Sequence, residues 1–275
     1  MIDADAITAA AKLIQAADGL LVTTGAGIGV DSGLPDFRGD EGFWKAYPPL
    51  AQAGVRFAEI ANPAAFHEDP WRAWGFYGHR LRLYRETAPH EGFAILQRWA
   101  ATKPAESFVF TSNVDGAHQK AGVPSGRIVE CHGSIHYLQC TLPCTDAVWA
   151  AERVRPQVDE STCRLTSELP MCPHCGRLAR PNILLFNDSE WVSRRTDDQY
   201  RRMQAWIDIV KRPVVIEIEA GTHIPSVRHQ GEALGAPLVR INPAAATVRR
   251  RSDVSVPTSA LLALRAIDAR LAALG

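Results

Sequence analysis

No stretch of this sequence approaches the roughly 18 consecutive apolar residues that a bilayer-spanning helix needs, although 46% of its 275 residues are hydrophobic. The N-terminus, Met1-Ile2-Asp3-Ala4-Asp5, lacks the basic region and cleavage site of a secretory leader. A soluble, cytoplasmic protein with no membrane partner is the expectation. Charge of one sign is also missing: 30 basic residues face 30 acidic ones, so no global field draws nucleic acid or an anionic surface. The short runs Arg194-Arg195, Arg201-Arg202 and Arg249-Arg250-Arg251 lack the interleaved aromatics of a nucleic-acid groove and read as solvated surface, with no nucleic-acid partner expected. Cysteine is scarce, six in all, too few for a disulfide scaffold. No internal repeat or low-complexity tract occurs.

What is present is a rhythm of short apolar runs and amphipathic segments. Strands are expected at 20–24, 107–111, 127–131, 182–186, 214–218 and 238–241. Helical periodicity covers roughly 4–17, 71–85, 92–101, 197–211, 225–235 and 258–274. Alternation of this kind argues for an α/β fold, a Rossmann-like doubly wound parallel sheet with function at the carboxyl ends of its strands. The rhythm breaks between Cys140 and Arg180, a stretch rich in Thr, Pro, Cys and charge. A small inserted module over about 136–180 is therefore expected, inside a larger part made of 1–135 and 181–275.

That segment holds two close cysteine pairs, Cys140 with Cys144 and Cys172 with Cys175, separated by 27 residues. Each pair can give two thiolates to one tetrahedral Zn²⁺, and four thiolates close the site to substrate. The zinc is accordingly assigned to folding. Cys131 and Cys163 read as small buried hydrophobes.

Three polar loops follow expected strands. Thr23-Thr24-Gly25-Ala26-Gly27-Ile28-Gly29 leaves the first strand and can bring backbone N–H groups against a phosphate. It continues into Asp31-Ser32-Gly33-Leu34-Pro35-Asp36-Phe37-Arg38 rather than the helix and second strand of a dehydrogenase fingerprint. Thr111-Ser112-Asn113-Val114-Asp115-Gly116 and Cys131-His132-Gly133-Ser134 end two further strands. Taken alone, Asn113 and Asp115 could equally form an Asx turn, whereas His132 has the ordinary pKa of a general base at neutral pH.

Together these motifs resemble the sirtuin family of NAD-dependent protein-lysine deacylases, over nearly the whole chain and in the family's order. They include Ser32 to Arg38, Arg180-Pro181, Gly221-Thr222 and Ile241-Asn242. The resemblance implies that NAD and an acylated lysine of a protein substrate enter a cleft between the two parts. NAD is then a consumed co-substrate. By that carry-over Gly25, Ala26, Gly27, Asp36, Phe37, Arg38, Ser112, Asn113, Asp115, Gly221, Thr222 and Asn242 surround NAD, and His132, with Asn113 and Asp115, carries the catalysis. Phe76-Tyr77-Gly78-His79-Arg80 resembles the Tyr-x-x-Arg pair of the desuccinylase and demalonylase class, so Tyr77 and Arg80 are expected to grip an acidic acyl chain.

The sequence departs from the family at Gly29 (usually Ser), Ser112 (usually Gln), Phe186-Asn187-Asp188 (usually Phe-Gly-Glu) and His223 (usually Ser). Glu219 adds an acid that would repel the NAD phosphates unless it points away. Two other readings share the motifs: a mono-ADP-ribosyltransferase or NAD hydrolase, and a catalytically silent NAD- and zinc-binding module.

Overall fold

The computed structural model describes residues 3–35 and 39–274. Its helices are α1 Ala4–Ala16, α2 Gly39–Ala46, α3 Pro48–Gln52, α4 Phe57–Ile60, α5 Pro63–Glu68, α6 Pro70–Glu86, α7 Glu91–Ala101, α8 Ala117–Lys120, α9 Arg194–Ile209, α10 Ser226–Ala233 and α11 Ala260–Leu274. Its strands are β1 Gly19–Thr24, β2 Ser107–Thr111, β3 Ile128–Glu130, β4 Gly133–Cys140, β5 Trp149–Ala150, β6 Val158–Asp159, β7 Arg164–Leu165, β8 Ala179–Ile183, β9 Pro213–Ile218, β10 Leu238–Ile241 and β11 Val254–Val256. None of the described helices is long and apolar enough to cross a membrane.

Six strands form one parallel sheet in the order β11-β10-β9-β1-β2-β3. Strand order reverses direction at β1, so the crevice between the loops after β1 and β9 is the topological switch point where a dinucleotide fits. The apolar runs are continuous because both faces of the sheet are covered. Leu20 and Val22 of β1 pack with α1, α7 and α11 through Ile14, Leu96 and Leu264. Leu21, pointing the other way, packs with Phe108, Phe110, Met203 and Trp206 under α9. Burying each such side chain contributes about 2 kcal/mol.

A second, antiparallel sheet, β5-β4-β8, carries the cysteine-rich segment. This corrects the strand expected at 182–186. It begins earlier, at Ala179, and pairs with β4 instead of joining the parallel sheet. The apolar run Ile183-Leu184-Leu185 continues the strand pattern past the strand's end, because beyond Ile183 the backbone leaves β4 and Phe186 N–H donates to the Ala61 carbonyl instead (2.9 Å). The eight-residue β4, the edge strand β11 and the five helices between 39 and 86 were not resolved by periodicity, apart from α6. That last helix starts where it does because Pro70 occupies its first turn and the Asp69 side chain accepts the Arg72 N–H (3.1 Å).

Candidate active site at the strand ends

The loops after β1, β2 and β3 are stitched together by backbone and hydroxyl bonds. Ser112 N–H donates to the Thr24 carbonyl (3.2 Å) and Cys131 N–H to the Thr111 carbonyl (2.9 Å). The Asn113 side-chain amide donates to the Gly25 carbonyl (3.0 Å), which ties the second polar loop to the glycine loop. Leu184 N–H donates to the His132 carbonyl (3.0 Å), which fixes the third loop to the chain leaving β8. Gly25, Ser112, Asn113 and His132 are thereby gathered at one end of the sheet.

The glycine loop forms a short 3₁₀ turn over Ala26–Ser32 that no side chain caps. Its first amides can therefore meet an anion, and the arrangement fits a diphosphate. Gly27 must be glycine, since a Cβ there would lie 2.0 Å from the Glu219 carboxylate. Gly133, at φ +75°, would bring a Cβ within 2.0 Å of the Asn182 carbonyl. This close approach of β4 to β8 sets where His132 sits.

Burial lowers the His132 pKa below the ordinary 6.5, and a hydrogen bond to the Ser112 backbone partly offsets that shift. The imidazole is neutral at pH 7, with one nitrogen donating to a carbonyl and the other left as a base. Asp115 is pushed up to about 6, first by desolvation, with the Ala117 N–H on its Oδ1 (2.8 Å) pulling the other way. The Asx turn read from the sequence is thus present.

A hydroxyl chain behind these loops was missed by the sequence reading. Thr24 Oγ1 donates to Thr111 Oγ1 (2.8 Å) and contacts the His118 Nε2 (3.0 Å), and Thr111 Oγ1 accepts the Asn113 N–H (3.0 Å). His118 lies three residues after Asp115, a spacing that could have flagged it. Desolvation pushes its pKa down to about 3. In the unfolded chain it titrates near 6.5, so between pH 6.5 and 3 the unfolded state binds the extra proton and stability falls as pH drops. The slope is at most about 1.4 kcal/mol per pH unit. Urea melts at pH 7 and 5 should show a smaller acid loss for His118→Gln than for the parent; equal losses would rule the assignment out.

Asp36, Phe37 and Arg38 lie outside the described residues. Gly221 and Thr222 lie in the loop after β9; Thr222 is exposed and a Cβ on Gly221 would meet nothing within 4 Å, so both border open space. The turn directly after β9 is made by Glu219 and Ala220, and a Cβ on Gly25 would lie 2.6 Å from the Glu219 carbonyl. Asn242 is buried, its amide donating to the Ala220 carbonyl (3.2 Å) and accepting from Ala244 and Ala245 N–H. Glu219 directs Oε1 to the Ala260 N–H (2.9 Å), and Asp31 caps Leu261 beside it (2.8 Å). The α11 N-terminus therefore absorbs this acid, which answers the repulsion anticipated from the sequence.

Arg80 and Tyr77 are buried on α6. Tyr84 Oη accepts from Arg80 Nε (3.0 Å) and Nη2 (2.6 Å), and the guanidinium lies over the Phe76 and Tyr84 rings at 5.2 and 5.3 Å. The Arg80 charge favours ionisation of the Tyr47, Tyr77 and Tyr84 phenols, against the larger effect of burial that keeps them neutral. Tyr84 follows Arg80 by one helical turn, so its position was legible; Tyr47, on a different element, left no local signal.

The four cysteine sulfurs Cys140, Cys144, Cys172 and Cys175 lie within 4.8 Å of one another. Cys140 and Cys175 sulfurs are 3.7 Å apart, as are those of Cys144 and Cys172. A tetrahedron with Zn–S near 2.3 Å has edges of about 3.8 Å, so the donor set and its size fit zinc.

A doubly wound sheet with a glycine loop at its switch point, joined to a four-thiolate module, defines a dinucleotide-binding class of α/β protein. Comparison with known proteins narrows the class: the Sir2 family profile matches residues 25–210, and the chain belongs to that family. It is 38% identical over 184 residues to an NAD-dependent protein deacylase of Thermococcus kodakarensis, an alignment covering 65% of this chain and 63% of that protein. An NAD-dependent protein deacylase of Thermus thermophilus is 30% identical over 259 residues, 92% of this chain and 90% of the relative. The chain thus spans under two thirds of the first relative and nine tenths of the second. A mutant Sir2 homologue in an ADP-ribose complex superposes with a TM-score of 0.72 at 24% identity, covering 96% of each chain.

Proposed function

We propose that this protein is an NAD-dependent protein-lysine deacylase. It transfers the acyl group of an acylated lysine to ADP-ribose with release of nicotinamide, and it prefers acyl chains that end in a carboxylate, succinyl or malonyl. Family membership and the convergence of Gly25, Asn113 and His132 support the first part. NAD, when bound, supplies an electrophilic ribose carbon by losing nicotinamide. The chain's own residues do the rest: the uncapped amides at Ala26 and Gly27 meet the diphosphate, Asn113 holds the glycine loop, and neutral His132 takes a proton from a ribose hydroxyl. Six cysteines without a disulfide, four of them placed to hold zinc, suit a reducing cytoplasm.

The single observation behind the acyl preference is the buried, phenol-ringed guanidinium of Arg80. Its field reaches the catalytic loop, where it lowers the Asp115 pKa against the larger effect of burial. Tyr77, its pKa raised to about 12 by burial, stays a neutral O–H donor. A planar cation beside such a donor, with water excluded, is the chemistry that selects a carboxylate. Nicotinamide release should be measured on one lysine peptide carrying acetyl or succinyl. The expected result is succinyl preference, lost about 10- to 100-fold in Arg80→Met as a charged hydrogen bond disappears. Acetyl preference that Arg80→Met leaves unchanged would refute it.

A further inference from the structure

One buried carboxylate beneath α10 gathers two guanidiniums, and both reach onward to loops at the carboxyl end of the sheet. Glu217 is fully buried on β9 and sits opposite Arg240 in the β9–β10 register. Arg240 grips it with Nε (2.7 Å) and Nη2 (3.0 Å), while its Nη1 donates to the Thr247 carbonyl (2.8 Å). Arg228, in the first turn of α10, brings Nε to 3.9 Å from the same carboxylate. Its Nη2 donates to the Ala245 carbonyl (2.8 Å) and the Ala220 carbonyl (3.3 Å). A single side chain thus joins the loop after β9 to the loop after β10.

Arg240 is itself shared, its Nη2 also donating to Glu232 Oε1 (2.7 Å), so two guanidiniums offset two carboxylates; neutralisation alone does not require Arg228 to bridge two carbonyls on separate loops. Among the described residues the buried Arg228 Nε has no hydrogen-bond partner, a cost that a purely structural residue could avoid. The sheet order says what the two joined loops face. His132, Ser112 and Asn113 gather over β2 and β3, and a dinucleotide centred on the glycine loop of β1 extends its other half over β9 and β10. We infer that Arg228 is a positioning residue for NAD, setting the spacing of the two loops that receive the adenosine half. The inference rests on the NAD-dependent reading above.

Arg228→Met keeps the aliphatic stem and leaves the Glu217–Arg240 pair intact. The expected result is a rise of about tenfold in KM for NAD, with kcat and the acyl-peptide KM within twofold of the parent. ADP-ribose affinity, read by calorimetry, should weaken by the same factor while inhibition by nicotinamide is unchanged. Arg228→Lys, able to reach one carbonyl at a time, should recover part of the loss. An NAD KM within twofold of the parent overturns the inference. So does a uniform decline in all constants with a lowered melting temperature, the mark of a merely structural role. A parent protein that fails to bind NAD overturns the underlying NAD reading; normal parent binding with an unaffected Arg228→Met overturns the clamp alone.

Discussion

His132→Ala lowers acyl-lysine-dependent turnover roughly 10²- to 10⁴-fold, the usual worth of a placed general base, while NAD affinity changes little. The fold survives because the His132 main chain, not its ring, makes the structural bond to Leu184. The pH profile carries an independent signature. A base works when unprotonated, and burial has lowered the His132 pKa below 6.5. The acid limb of kcat/KM therefore falls at or below pH 6.5, close to where Asp115, at about 6, also titrates. An acid limb above pH 7, or a His132→Ala variant with parental turnover, would remove His132 from the chemistry.

Stripping metal with a strong chelator, or Cys172→Ser, abolishes activity and lowers the melting temperature by more than 10 °C, on the order of several kcal/mol lost from a site whose metal binding is worth about 10–16 kcal/mol in small zinc domains. The module has little else to hold its outer end. Its strands β5, β6 and β7 are two residues long, and Cys144 and Cys175 are exposed. Inner residues Leu138, Leu165 and Ala179 do pack toward Trp74 of α6, so the parallel sheet should keep its helical signal. Activity is lost because a single strand, β4, joins Gly133, beside His132, to Cys140 of the thiol cluster, although its pairing with β8 shifts register between Ser134 and Leu138. One zinc per chain by elemental analysis is expected. A metal-free protein with full activity and an unchanged melt would show that the thiols hold no structural ion.

Several site elements could be read one residue at a time. The thiol spacing, the glycine loop and His132-Gly133 are local signals, because close pairs of ligands and tight turns are made by neighbours in the chain. Glu219 looked like a threat to NAD phosphates; only its bond to Ala260, 41 residues away, reveals that its charge is spent on α11. The same holds for Thr24 with Thr111, and for Arg228, whose two carbonyl partners lie on separate loops.

The sequence by itself determined the two-sided burial of the parallel strands, the presence of a cysteine module and the residue types of the polar loops at the strand ends, since these follow from periodicity and spacing within short windows. Tertiary structure alone decided that β8 pairs antiparallel with β4, that Tyr47 and Tyr84 surround Arg80, and that Glu217 sits beneath two arginines. Each of those outcomes depends on groups brought together across long loops, where burial and unsatisfied hydrogen bonds select the partner and the local sequence carries no record of the choice.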